Sequence, residues 1–419
     1  MNYNQMLNYF ESLKNLGSKP GLERITELIE KMGNPHEKLK TIHVTGTNGK
    51  GSVCAMLESV LMEAGYKTGK FTSPWIENIN EQIAFCGEVI SDNDFAEVVT
   101  YIKSIADKMS DSPTEFEIIT ATAFEFFKRK NCDIVIVETG MGGLSDATNF
   151  IENPLLSIIT CVATDHTNFL GKSIEEIATQ KAGIIKDSVP VLYGGEDETA
   201  KKVIVKRAED CRSEFYQTGK PNVISSNISG SEFEYRGLEL KIPLSGSYQP
   251  RNAAIALDAL DILYSLGVET TDDNIIAGLS KVKWKGRFEV LCKSPLFIFD
   301  GGHNIHGLAA VAESIKEYFA DEKIIFLTGI LADKDYEMMA KVITFFAKKV
   351  FTVTPDSPRA LDGFKLAEVF GEKIAEHCNT IADGVKKALN LAAKENLPVV
   401  AVGSLYLYKD IIKEIKQRD

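Results

Sequence analysis

The stretch Thr41-Ile42-His43-Val44-Thr45-Gly46-Thr47-Asn48-Gly49-Lys50-Gly51-Ser52 decides how the chain is read. A β-rich apolar run enters a Gly-rich turn. Val53-Cys54-Ala55-Met56-Leu57-Glu58-Ser59-Val60-Leu61 follows and reads as a helix. Strand, glycine loop and helix in this order make a phosphate-binding loop. Glycines let backbone N–H groups converge on an anion, and the helix N-terminus adds partial positive charge. Lys50 would reach the terminal phosphates as a point charge. The standard Walker pattern wants Gly at 44 and a hydroxyl at 51. Here Val44 and Gly51 stand there, with Ser52 one step later. A Gly/Ser loop that only turns the chain is the alternative, and the lysine with its strand–helix context argues against it.

A chain of 419 residues exceeds one typical core, so two domains are expected. Its 44% hydrophobic and 25% charged content is that of a soluble globular protein. The net charge of -12 gives no general attraction to nucleic acid or anionic membrane, so any anion site must be local. No apolar run approaches the ~20 residues of a membrane span. Met1-Asn2-Tyr3-Asn4-Gln5-Met6 lacks a targeting pattern. The seven cysteines are scattered without a C-x-x-C pair and read as reduced residues of a cytoplasmic protein.

Short apolar runs alternate with helical patterns. Expected strands are Ile42–Thr45, Lys67–Phe71, Asp133–Val137, Leu155–Thr160 and Val189–Tyr193, with helices between them such as Glu117–Arg129. Such alternation predicts an α/β fold, a doubly wound and mostly parallel sheet with ligands beyond the strands' carboxyl ends. Around residues 221–244 the rhythm breaks, and the alternation of Phe233–Ile242 about Gly237 predicts a hairpin. A smaller Rossmann-like series begins at Leu296–Phe299 and continues through Lys323–Thr328, Val350–Val353 and Pro398–Val402. The boundary is expected near Leu291–Pro295, dividing the chain into 1–290 and 291–419.

Polar residues at strand ends are the candidates for chemistry. Glu138 ends one strand, ahead of Thr139-Gly140-Met141-Gly142-Gly143, and suits a Mg²⁺ ligand or a water-orienting group; a solvated strand-end acid is the bland alternative. Ser73, in Phe71-Thr72-Ser73-Pro74, could complete a Mg²⁺ shell or simply make a turn. Asp165-His166 lies at a third strand end. Lys181 reads by default as a solvated helix lysine. Asp300-Gly301-Gly302-His303-Asn304 closes the first strand of the second series and looks like a ligand loop. Arg287 could hold phosphate with its planar fork.

Gly-Thr-Asn-Gly-Lys-Gly-Ser, with these segments in order, resembles the ATP-dependent amide ligases of the Mur ligase superfamily. Within it the folate ligases, folylpolyglutamate synthase and dihydrofolate synthase, are the nearest look. The matches run from about residue 20 to about residue 406, an ordered combination far more specific than its parts. The resemblance implies a P-loop ligase domain followed by a smaller α/β domain. It implies ATP at Thr47, Asn48, Gly49, Lys50, Gly51 and Ser52, with Gln249, Asn252, Arg287 and Asp300 as further contacts. It assigns two Mg²⁺ ions to Ser73, Glu138 and His166, beside a carbamylated Lys181, and leaves room for a monovalent cation. Lys50, Lys181 and His303 are its catalytic candidates. His303 and Ser404 fall near the incoming glutamate. Gly21, Leu22, Phe116, Glu117, Asp146 and Ala147 fall near a pterin.

This chain departs from the family at Leu144, where Arg is frequent, at Lys285 for Pro, at Ile305 for Pro and at Gln180 for Glu. The implied reaction activates a carboxylate as an acyl phosphate, which the amine of L-glutamate attacks, on dihydropteroate or on the γ-carboxyl of reduced folates. A cleft that closes to exclude water and a monomeric state are further expectations. A cell-wall Mur ligase would carry a domain ahead of the loop, and only about 40 residues precede it. A P-loop kinase or switch NTPase would not explain the second α/β series. A regulatory relative without ligase activity would have no need of Lys50, Glu138, His166 and Lys181 together.

Overall fold

The computed structural model describes residues 1–417 apart from Ser18. Two units emerge: Met1–Ala163 with Thr167–Lys220 and Asn252–Lys281, and Thr164–His166 with Pro221–Arg251 and Val282–Asp419.

The first unit is built on eight strands: β1 (Lys40–Thr45), β2 (Thr68–Phe71), β3 (Ile83–Phe85), β4 (Glu88–Val89), β5 (Ile134–Glu138), β6 (Leu156–Ile159), β7 (Val191–Tyr193) and β8 (Phe215–Gln217). Their order is β4-β3-β2-β5-β1-β6-β7-β8; the pairings from β2 through β5, β1, β6 and β7 to β8 are parallel, while β3 runs antiparallel to both β2 and β4. From β1 the chain passes to β2 on one side and later returns to β6 on the other. The loop after β1 therefore opens where such sheets bind ligands. Every residue of β1, β5 and β6 except Lys40 is buried, as strands covered on both faces are. The helices Tyr3–Leu13, Glu23–Lys31, Asp92–Ala106 and Glu115–Lys130 pack their apolar faces into one core with Phe71, Val135 and Val137.

In the second unit β9 (Asn222–Asn227), β10 (Gly230–Tyr235) and β11 (Leu238–Ile242) form an antiparallel sheet containing the expected hairpin. The strands β12 (Glu289–Lys293), β13 (Leu296–Phe299), β14 (Ile324–Thr328), β15 (Ala347–Thr352), β16 (Ala375–His377) and β17 (Val399–Val402) form a sheet of order β12-β13-β17-β14-β15-β16. It is parallel except for β12. The expected cut near Leu291–Pro295 falls within the β12–β13 hairpin, because β12 pairs along Glu289–Lys293 with β13. The second unit instead resumes at Val282 and also takes in 164–166 and 221–251.

Candidate active site

In the first unit the loop between β1 and the helix Lys50–Glu63 is held open by its glycines. Gly46 has φ 155° and Gly49 φ 86°. A Cβ on Gly46 would sit 1.8 Å from Thr160 Oγ1, and one on Gly49 would sit 2.6 Å from Asn252 Oδ1. Asn252 thus lies directly over the loop. The end of β6 braces it from below: Thr47 N donates to Cys161 O at 2.9 Å, Thr160 Oγ1 to Asn48 O at 2.6 Å, and Asn48 N to Cys161 Sγ at 3.3 Å. Thr47 Oγ1 donates to Ala163 O and accepts from Ala163 N, both at 3.0 Å. Thr47 is thereby a brace of the loop.

The helix begins at Gly49 without a side-chain cap, so its first N–H groups face outward as an anion site with the helix dipole behind them. Lys50 Nζ donates to Gly46 O at 3.0 Å and stands 3.7 Å from Glu138 Oε1. Glu138 is buried at the end of β5, in register with Val44 of β1. Half-buried Ser73 follows β2, the other neighbour of β5. A buried carboxylate and a hydroxyl at adjacent strand ends are hard oxygen donors that suit Mg²⁺. Lys181 lies in the last turn of the helix Ile174–Ala182 and is only 2% exposed, so the solvated-lysine reading fails.

The segment after Glu138 is stiffened from within. Met141 N and Thr148 N donate to the two oxygens of Asp146 at 2.7 and 3.0 Å, and Thr148 Oγ1 donates at 2.6 Å. Burial raises the Asp146 pKa against these hydrogen bonds. The Thr148 oxygen faces His43 Nε2 at 2.8 Å. Because that hydroxyl gives its proton to Asp146, His43 Nε2 must carry the proton donated to it. Burial first, then the charge of Lys186, lowers the pKa of His43 to about 3. The Asp146 carboxylate, expected beside a pterin, is engaged by its own loop, and Ala147 is buried next to it.

Glu117, another pterin candidate, is similarly occupied. Its Oε2 accepts from Thr114 N at 2.7 Å as the capping box of Glu115–Lys130, and from Arg24 Nε at 3.2 Å. Half-buried Phe116 instead presents its ring to Gly140, where a Cβ would meet Cζ at 2.6 Å, and lies 5.9 Å from the Phe71 ring. Gly21 (φ 119°) and Leu22 lead into the helix Glu23–Lys31, with Leu22 packed on the core.

In the second unit Asp300 directly follows β13. Its Oδ2 accepts from Tyr248 Oη at 2.6 Å and Phe288 N at 2.8 Å, and its Oδ1 accepts from Gly302 N at 2.6 Å. Burial raises its pKa, opposed by Arg287 and these hydrogen bonds. The carboxylate expected on ATP therefore fixes the 286–288 and 300–302 turns. Half-buried Arg287 donates to Gly286 O at 2.9 Å, and buried Gln249 opens the helix Gln249–Ser265. Ser404 is buried and accepts from Tyr406 N at 3.2 Å as a helix cap.

His303 Nδ1 lies 2.9 Å from Gly301 O, so that nitrogen carries a proton. Its Nε2 is 3.5 Å from Asp165 Oδ2, and His166 Nε2 is 3.8 Å from the same oxygen. Ligand atoms of Asp165, His166 and His303 all lie within 4.8 Å of one another. Burial would raise the Asp165 pKa, but His303, His166 and Lys334 overcome it and hold the carboxylate far below its ordinary range. Sequence reasoning missed Lys334 and Arg24 as partners. Lys334 lies on the loop after β14, which ends at Thr328, and no local pattern marks it out from the other lysines.

Comparison with known proteins agrees with this layout. Residues 44–260 match the family model described as Mur ligase middle domain, and residues 286–405 match Mur ligase, glutamate ligase domain. A Bacillus subtilis (strain 168) dihydrofolate synthase/folylpolyglutamate synthase is 36% identical over 417 residues, covering 96% of this chain and 96% of that one. The crystal structure of folylpolyglutamate synthase from Thermotoga maritima is 34% identical, covers 100% of this chain and 97% of its own, and superposes with a TM-score of 0.85. E. coli FolC in complex with DHPP and ADP is 28% identical over 100% and 98% of the two chains, with a TM-score of 0.88.

Proposed function

The chain belongs to the Mur ligase family, in its dihydrofolate synthase/folylpolyglutamate synthase branch, and on that premise we propose that it joins L-glutamate to dihydropteroate and to the γ-carboxyl of reduced folates. It is an ATP-dependent ligase. The observation that carries the reading is Lys50, poised between Gly46 O and Glu138 at an uncapped helix N-terminus.

A carboxylate is a poor electrophile. Lys50 and the helix N–H groups neutralise charge on the phosphoryl group as it passes from ATP to the carboxylate oxygen, forming the acyl phosphate and ADP. The glutamate amine attacks the acyl carbon, its proton leaves, and phosphate departs. Asn252, lying over Gly49, steadies the nucleotide side of the loop. Phe116 against Gly140 offers an aromatic wall for a flat pteridine. His303 and Ser404 are the candidates beside glutamate.

Glu138 and Ser73 are the ligands we assign to Mg²⁺ in the first unit, and His166 is a candidate ligand of the second. When bound, Mg²⁺ supplies Lewis-acid neutralisation of phosphate oxygens. Lys181 is proposed to be carbamylated, which would turn a buried amine into an additional carboxylate. Carbon-13 NMR after incubation with labelled bicarbonate tests this, since the carbamate signal should vanish in Lys181→Met. No described helix is long and apolar enough to cross a membrane. The small-molecule reading fits a monomeric, cytoplasmic enzyme.

Phosphate release with ATP, Mg²⁺ and glutamate is the test, with dihydropteroate or tetrahydrofolate as acceptor. Turnover with both meets the proposal. Turnover with tetrahydrofolate alone reduces it to polyglutamate synthesis, and silence with both returns the chain to a regulatory role.

A further inference from the structure

We infer that Lys334 is a positioning residue for the second-unit imidazoles, acting through Asp165. Asp165 is a four-way junction. Its Oδ1 accepts from Lys334 Nζ at 2.5 Å and from His166 N at 2.8 Å. Its Oδ2 accepts from Asn304 Nδ2 at 2.8 Å and faces both His303 and His166 Nε2. One carboxylate therefore ties together residues 164–166, the turn after β13 and the loop after β14.

Lys334 pairs with Asp165 at that junction, and its side chain is only 5% exposed. A lysine is rarely buried so far without a purpose for its charge. Its own backbone is fixed on both sides. Lys334 N donates to Leu331 O at 3.1 Å, Tyr336 N donates to Lys334 O at 2.8 Å, and Leu331 bridges to Ala360. Asn304 is fixed too, as the N-cap of Ile305–Phe319 through Gly307 N at 2.7 Å.

His166 has the opposite character. It is a non-glycine residue at φ 49°, a left-handed conformation held by the hydrogen bond its N–H gives to Asp165. The rigid loops thus impose a position on the carboxylate, and the carboxylate imposes one on His166 and His303. Without Lys334 a buried anion would lose its countercharge, turn from its present rotamer and release both rings.

The inference deepens the ligase reading and rests on it for its kinetic part only. The first measurement is the imidazole nitrogen–proton spectrum of metal-free protein, with peaks assigned from His303→Gln and His166→Gln. In Lys334→Met the His303 and His166 peaks should move while those of other histidines stay in place. Lys334→Arg, which keeps the charge, should restore them. Kinetically, Lys334→Met should lower kcat/KM for glutamate by about 100-fold, the scale of a 1 Å misplacement, with KM for ATP unchanged. Asp165→Asn should act likewise, and the double variant should lose no more than either single one.

Wild-type imidazole peaks in Lys334→Met, or additive losses in the double variant, would overturn the inference. If Lys334→Met does not fold, Lys334→Gln takes its place in both measurements. If the wild-type protein turns over no glutamate, the ligase reading fails while the spectra still decide the role of Lys334.

Discussion

Lys50 Nζ and Glu138 Oε1 stand 3.7 Å apart, joining the first residue of the phosphate-loop helix to the last residue of the neighbouring parallel strand. The pair holds the cation at the loop mouth while the helix N-terminus stays open. Lys50→Met should retain the fold and lower phosphate release by about 10²–10³-fold, the usual loss for one electrostatic donor. Circular dichroism beside the phosphate assay checks both halves. Wild-type turnover in that variant would remove the loop from the chemistry.

Gly49→Ala should weaken nucleotide binding. The left-handed backbone costs an L-residue about 1–2 kcal/mol, and the new methyl would press on Asn252 Oδ1. Titration with a fluorescent ATP analogue should show a Kd raised by about tenfold, the equivalent of that strain expressed in binding. An unchanged Kd would mean that the loop rearranges freely around a side chain.

Arg24 and Glu117 form a buried pair that should matter more to stability than to chemistry. Arg24→Met leaves the Glu117 charge buried, at a cost of about 3 kcal/mol or more. Glu117→Ala also removes the reciprocal half of the Thr114 capping box and should cost about 1 kcal/mol more. Urea midpoints give the order. If Glu117→Ala proves the milder change, the carboxylate is not the cap it looks to be.

His43 predicts a pH dependence of stability. Its folded pKa is about 3, against about 6.5 for an unfolded histidine. Between these values the unfolded chain binds the extra proton, so stability rises with pH. The contribution is complete above about pH 6.5 and falls by up to ~1.4 kcal/mol per unit on acidification toward pH 3. Urea unfolding of wild type and His43→Gln between pH 5 and 7.5 isolates it. The variant should lack this share of the acid slope, and equal slopes would contradict a neutral buried ring.

Much was legible locally. The strand–Gly loop–helix of residues 41–61, the alternating β/α rhythm, the hairpin about Gly237 and the strand-end acid Glu138 all follow from short-range pattern. The apolar run of β1, the φ freedom of Gly46 and Gly49, and the uncapped helix start are properties of a dozen adjacent residues. Order along the chain also carried the family resemblance, which needs no contacts.

Folding decided how the polar groups are used. The family resemblance implies Asp146, Glu117 and Asp300 near ligands, and in the fold their oxygens accept from Met141 and Thr148, from Thr114 and Arg24, and from Tyr248, Phe288 and Gly302. Lys181 looks solvated and is buried. Lys334 looks ordinary, and its partner Asp165 lies 169 positions earlier. A carboxylate's role depends on which donors fill its lone pairs after desolvation, and those donors come from distant segments. Sequence determined the elements and the phosphate loop. Only the tertiary structure decided which of these charges are tied up in holding the fold.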